Sequence, residues 1–301
     1  MLTLAVALSV LSSCSPKEAK KGDVPLVDAD GNTFYVSNDF RVVCAYGSFA
    51  ECWLLSGGEL VGVTDDAINE RGLDLPDNTA IVGSVKSIDL ERLLAVKPDL
   101  VILSADLTAH RALALQLADR GINAALFRVD SFDDYASMMK QFCAVNGGDE
   151  LYKKHVTDVK ADIERIKASV GDATPKEVLI MRAYANGIKV KTDNLAESIA
   201  CDLGCVSLAQ KYPSMLTDLG IEAIVSADPD VILVLTMGDE AEAVRYLNQY
   251  FVDNPALSSL SAVKNGKLCI LPKELFHYKP TNKWNESYEY LAKILHPEKF
   301  N

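Results

Sequence analysis

The sequence predicts an α/β protein of two similar lobes, each with a mostly parallel sheet, joined by one long linker helix. Three observations lead there. A helix, a Pro-Asp and a short apolar run follow one another twice, in residues 88–103 and again in 221–234. Apolar runs of strand length alternate with helical runs around both copies, as in sheets covered by helices on two faces. Between the copies, residues 149–170 carry a single apolar stripe at helical spacing.

In the first copy Leu90, Leu93, Leu94 and Lys97 fall at helical spacing, so three apolar side chains share a face. Pro98 cannot lie inside a helix and ends it, and Leu100 to Leu103 then reads as a buried strand. In the second copy Val231 to Val234 follows Pro229-Asp230 in the same way. Glu91 precedes Pro98 by seven positions, and Glu222 precedes Pro229 by the same seven. Two copies this far apart imply two Rossmann-like lobes; a solenoid needs a short period and at least three units.

Composition narrows the function. The chain has 301 residues, 49% of them apolar and 24% charged, enough for a large core. A net charge of −12 argues against nucleic acid, whose phosphates require clustered Lys and Arg. No apolar run reaches the roughly 20 residues of a membrane span.

Leu2 to Leu11 is apolar or small and ends in Leu11-Ser12-Ser13-Cys14. It resembles a bacterial lipoprotein signal, which implies lipidation of Cys14 and a membrane anchor there. Ser15 to Gly22 then reads as a flexible tether. No Lys or Arg precedes the apolar run, which leaves open a start upstream of Met1. The expected organisation is a signal peptide 1–13, a lipid tether and hairpin 14–40, an N-terminal lobe 41–148, a linker helix 149–171 and a C-terminal lobe 172–301.

Six further cysteines would permit disulfides outside the cytoplasm. Cys44 and Cys269 lie in apolar strand runs and read as small hydrophobes, while Cys201 and Cys205, four apart on an expected helix, read as buried free thiols. Asp28-x-Asp30-x-Asn32 resembles the start of a calcium loop. Gly31 stands fourth where the sixth place needs glycine, and Asp39 stands twelfth where glutamate belongs, so a turn is expected.

In order, Val24 to Val36 reads as a β-hairpin and Arg41 to Tyr46 as the first core strand, followed by a helix from Phe49. Leu60 to Thr64 is a second strand, Ile81 to Ser84 a third short segment, and Thr108 to Arg120 a helix. Ile122 to Val129 is a strand, and Ser131 caps the next helix. At 1.5 Å per residue the linker helix would span about 30 Å. Glu177 to Ala183 opens the second lobe, Asn186-Gly187 signals a hairpin, and Leu195 to Leu203 is a helix. Asn254 to Leu271 gives a turn, a short helix and a strand. An aromatic loop, Lys273 to Lys283, precedes the last helix, Trp284 to Leu295.

The LSSC motif, the hairpin before RVVCAYGS, Gly83-Ser84 before DLERLLAVKPDLVI, the linker and NPAL…AVKNGK form one pattern over nearly the whole chain. That pattern resembles the substrate-binding lipoproteins of ABC importers for iron chelates, haem and cobalamin. The resemblance implies a non-enzymatic, extracytoplasmic protein that works with an ABC permease and its ATPase, is expected to be a monomer, and has no cofactor of its own. It also implies that one glutamate per lobe docks on the permease, here Glu91 and Glu222. Two exposed carboxylates would give a two-point, charge-complementary footprint; each would also suit the start of its helix.

In sheets of this kind ligands bind beyond the carboxyl ends of the strands, so the cleft between two such ends is the expected site. The residues following strands are Tyr46, Ser48, Ser84, Lys86 and His110 in the first lobe. In the second they are Arg182, Tyr184, Met237, His277, Tyr278 and Lys279. Aromatic faces suit a macrocycle or catechol, and Arg or Lys suits an anionic chelate. Arg182 and Tyr184 read equally as a ligand pair or as an edge-strand surface pair. Trp53 reads as core, and Trp284 as an anchor for the last helix.

A bare zinc or manganese ion usually needs three nitrogen ligands and a carboxylate. Of four histidines, His155 falls on the linker and His296 at the tail, leaving two, so no metal site is expected. Haem would need one axial ligand, for which His277 or Tyr278 would serve. No G-x-G-x-x-G, Walker or G-x-S-x-G motif supports an enzyme. The expected function is capture of an iron chelate, siderophore or haem, for delivery to the permease; cobalamin is the alternative.

Overall fold

A computed structural model describes residues 22–192, 194–216 and 220–300. The lipidation expected at Cys14 lies outside them. A hairpin of β1 (Val24–Val27) and β2 (Thr33–Val36) opens the chain. Its turn is closed by Asp28, whose carboxylate accepts the amides of Asp30 at 3.0 Å and Asn32 at 2.9 Å. The other Asp28 oxygen accepts the Leu126 amide at 3.3 Å, which fastens the hairpin to the first lobe. The carboxylate is thus a turn-former.

Next come β3 (Val42–Cys44), β4 (Gly62–Val63), β5 (Ala80–Ile81), a small hairpin of β6 (Gly83–Ser84) and β7 (Ser87–Ile88), β8 (Leu100–Ser104) and β9 (Asn123–Phe127). The first sheet has the order β5-β4-β3-β8-β9, all parallel. The second lobe contributes β10 (Glu177–Tyr184), β11 (Gly187–Val190), β12 (Val206–Ser207), β13 (Val231–Thr236) and β14 (Leu268–Ile270). Its order is β11-β10-β13-β14, with β12 beside the start of β10. Only the β10–β11 pairing there is antiparallel, across a two-residue turn at Ala185-Asn186. The chain is therefore the expected α/β pair of lobes.

Both central strands are buried on both faces. On β8, Leu100 and Ile102 face one core while Val101 and Leu103 face another. On β13, Val231, Leu233 and Leu235 alternate with Ile232 and Val234 in the same way. One core is continuous through both lobes, since Phe142, Ile163, Ile180, Leu233 and Trp284 all belong to it.

The two repeats superpose in their backbone logic. The helices Leu90–Ala95 and Ile221–Ala227 both end before a left-handed residue that precedes proline, Lys97 (φ 48°) and Asp228 (φ 39°). Proline disfavours the α conformation in the residue before it, which stops each helix. Lys97 is thus outside the helical stripe on which its spacing placed it.

The linker runs over residues 149–170 as two α segments around a π turn, Lys153–Thr157. His155, buried in the π turn, offers its carbonyl to the Tyr135 hydroxyl at 3.0 Å. The helix before it is closed by a capping box of Ser131 and Asp134 and by Gly147 in the left-handed region. Cys205 falls beyond the helix Leu195–Asp202, and the six described cysteines are free thiols. Among the described residues no helix is long and apolar enough to cross a membrane.

Candidate functional site at the interlobe seam

The carboxyl ends of the two sheets meet across a seam. Tyr46 follows β3 and precedes the helix Gly47–Leu55; desolvation, then the nearby carboxylates Asp66, Asp106 and Glu70, push its hydroxyl up to about 12. Asp66 is buried beneath it and accepts the Gly47 amide at 2.7 Å and the Thr64 hydroxyl at 2.6 Å. This contact requires glycine at position 47, where an added Cβ would lie 2.8 Å from the carboxylate. Ser48 is buried inside that helix, 4% exposed, so it does not present its hydroxyl to the seam as expected.

Ser84 is half-buried in β6, and Lys86 is exposed at the tip between β6 and β7. His110 is no ligand candidate: it is fully buried and both ring nitrogens are occupied. Its Nδ1 accepts the Ser104 amide at 2.9 Å, and Nε2–H donates to the Val85 carbonyl at 2.8 Å. The imidazole thereby holds the Val85-Lys86 tip against the end of β8. Desolvation keeps it below the usual histidine range.

In the second lobe Arg182 and Tyr184 lie half-buried at the end of β10, on the sheet face shared with Val178 and Ile180. The Lys189 ammonium sits 5.9 Å above the Tyr184 ring. Met237 is half-buried just past β13, its amide bonded to the Ala183 carbonyl at 2.8 Å. His277 and Tyr278 follow the short helix Lys273–Phe276 with their rings 5.0 Å apart at 71°. Although the His277 residue meets solvent, surrounding protein desolvates its ring, and Lys273 and Arg182 add to that, so its pKa is lowered. The Tyr278 phenol is pushed up by desolvation and then by Glu70 of the opposite lobe.

The strand-end residues after β4 were not expected. Arg71, half-buried, donates from Nε to Glu51 at 2.8 Å and from Nη2 to the Thr281 hydroxyl of the other lobe at 3.3 Å. Glu70 beside it is exposed, its pKa raised by desolvation and by Asp66 and Asp65. Lys273 is held by Glu240 at 3.3 Å and by the Gly238 carbonyl at 3.2 Å. The signal that finds Arg71 is the strand-end rule itself, applied to β4, whose two residues give little indication of where it ends.

Downstream of Tyr278, one segment stitches the lobes together. Lys279 pairs with Asp130 at 3.2 Å, and Asn282 bonds His155 of the linker at 3.2 Å. Trp284 meets Phe132 ring to ring at 5.9 Å, and Asn285 bonds Asp162 at 3.0 Å. Trp284 is therefore an interlobe anchor as well as a helix anchor. Trp53 is core, packed on Phe142 at 5.0 Å.

Glu91 and Glu222 are both exposed and both second in their helices. A cavity of ≈ 590 Å³ lies elsewhere, between the linker and the helices bearing Asp202 and Tyr288, and contains none of the strand-end residues. We place the site at the seam because ionisable and aromatic side chains of both lobes converge there. Among the described residues no group of three or more His, Cys, Asp or Glu could hold a metal ion.

Two α/β lobes, a joining helix and strand ends that face each other define a two-lobed solute-binding protein. The chain belongs to the periplasmic binding protein family, whose model matches residues 42–275. It is 22% identical over 280 residues to the Fe(3+)-citrate-binding protein YfmC of Bacillus subtilis, covering 89% of this chain and 87% of that one. It is 20% identical over 297 residues to the ferric-anguibactin-binding protein FatB of Vibrio anguillarum, covering 92% of each. Among solved structures, an ABC transporter substrate-binding protein from Listeria monocytogenes matches with a TM-score of 0.70, 22% identity, and 86% and 99% coverage. Haem-bound IsdE of S. aureus matches with a TM-score of 0.68, 15% identity and the same coverage.

Proposed function

We propose that this protein captures an iron chelate at the interlobe seam and delivers it to an ABC permease from outside the cytoplasm, tethered by a lipid on Cys14. The observation that carries the reading is that Glu70, which lies close to Tyr46 in one lobe, also reaches Tyr278 and Lys273 of the other. Phenol faces and paired charges suit a bulky, oxygen-rich chelate, whose own donors fill the metal's coordination sphere. Relatives that bind ferric citrate and ferric anguibactin support this class of ligand. Delivery needs no chemistry, only a docking face. Glu91 and Glu222, matched in place and exposed, supply one carboxylate per lobe.

The test is a fluorescence titration of the protein with ferric siderophores, ferric citrate, haem and cobalamin, paired with uptake by cells carrying Glu91→Arg and Glu222→Arg. Micromolar or tighter quenching by an iron chelate is expected, with binding kept and uptake lost in the variants. No binding by any iron chelate would overturn the capture reading, and undiminished uptake the docking one.

A further inference from the structure

Resting on that reading, the seam also says which chelates it prefers. The cations placed at the strand ends are largely neutralised before any ligand arrives. Arg71 is paired with Glu51, Arg128 with Asp106 at 2.7 Å, Lys273 with Glu240 at 3.3 Å and Lys279 with Asp130 at 3.2 Å. Four carboxylates near the seam, Asp65, Asp66, Glu70 and Asp239, form no ion pair within 4 Å among the described residues, and of them Glu70 feels Lys273 and Arg71 only at longer range. Asp65, Asp66 and Glu70 are neighbours on the β4 side, so their fields add. Against the four stand three cations: Lys86, Lys189 above Tyr184, and Arg182 counted at full charge.

A site of this balance has no cationic surplus for a multiply charged anion. Its remaining donors are neutral. Tyr46 and Tyr278, both held protonated by burial, offer O–H groups to ligand oxygens without adding charge. Three hydroxamates, each with one negative charge, balance Fe³⁺; three catecholates, each with two, leave a complex of charge −3.

We propose that the seam selects ferric chelates of zero or single positive charge, the trihydroxamate class, and discriminates against tri-anionic tricatecholates. The test is a competition titration of the full chain with ferrioxamine B and ferric enterobactin, at low and at high salt. The trihydroxamate should bind at least about ten-fold tighter at low salt, with the gap narrowing as salt screens the carboxylates. Asp65→Asn with Glu70→Gln should raise tricatecholate affinity by a larger factor than trihydroxamate affinity. Equal or tighter tricatecholate binding in the wild type would overturn the charge rule and leave chelate capture standing. Failure of both chelates, and of ferric citrate and haem, would remove the capture reading and this inference with it.

Discussion

The Asp99 carboxylate accepts the Arg41 amide at 3.0 Å, while the Asp99 amide donates to the Arg41 carbonyl at 2.9 Å. The second lobe repeats this clasp, Asp230 accepting the Glu177 amide at 2.8 Å and donating to its carbonyl at 2.9 Å. In each lobe the aspartate of the Pro-Asp pair thus sets the start of one central strand against the start of its neighbour. The repeated dipeptide is a register device, which explains why Asp follows Pro in both copies.

Removing either carboxylate leaves a strand-opening amide to water. Asp99 is half-buried and Asp230 exposed, so Asp99→Ala should cost about 1.5 kcal/mol and Asp230→Ala less, about 0.5–1 kcal/mol. The clasps lie in separate lobes, so the double variant should show the sum. Urea unfolding at neutral pH checks this. A larger loss from Asp230→Ala, or none from Asp99→Ala, would contradict the clasp.

His110 sets a second expectation, in pH. Its neutral ring accepts one backbone amide through Nδ1, and protonation would place an N–H against that amide. The folded-state pKa is depressed by desolvation, so the unfolded chain takes up the proton first. The stabilisation is therefore complete above the ordinary histidine value of about 6.5 and is lost as pH falls below it. His155 and His277, also depressed, act in the same direction. For the fully buried His110 ring, stability should fall with acidification by up to about 1.4 kcal/mol per pH unit, and by less for the solvent-exposed His277. His110→Gln should flatten that slope between pH 6.5 and 5, as read by thermal unfolding across pH. An unchanged slope would show that the ring titrates freely.

Local pattern made much of this protein legible. The hairpin, the repeat, both ends of the linker and the Ser131 cap follow from period, proline and capping chemistry, each written within a few residues. What was hidden depends on distance along the chain. The Arg71–Thr281 bond joins residues 210 apart, and the burial of Ser48 and His110 depends on what packs over them. The π turn at 153–157 has no periodic signature either, because it shifts the apolar stripe of the linker without breaking it.

Arg71 is where those long-range contacts concentrate, and it yields the last expectation. The Arg71 and Glu51 side chains are 7% and 17% exposed, and the same guanidinium reaches the opposite lobe at Thr281. Thr281 is a β-branched residue in the left-handed region (φ 52°), held there with its hydroxyl donating to the Pro280 carbonyl at 2.8 Å. Arg71→Met would strand a half-buried carboxylate, a loss of about 2–3 kcal/mol, below the figure for a fully buried pair. Adding Glu51→Gln should recover a substantial part of it. Thr281→Val removes the interlobe acceptor together with the local bond to the Pro280 carbonyl and should cost about 1–2 kcal/mol, of which only the interlobe part disappears when Arg71 is already gone. A double-mutant cycle on 71 and 281 measures that coupling directly. Additive effects would mean that the lobes are held by the contacts of Lys279, Asn282, Trp284 and Asn285, with Arg71 serving only its own lobe.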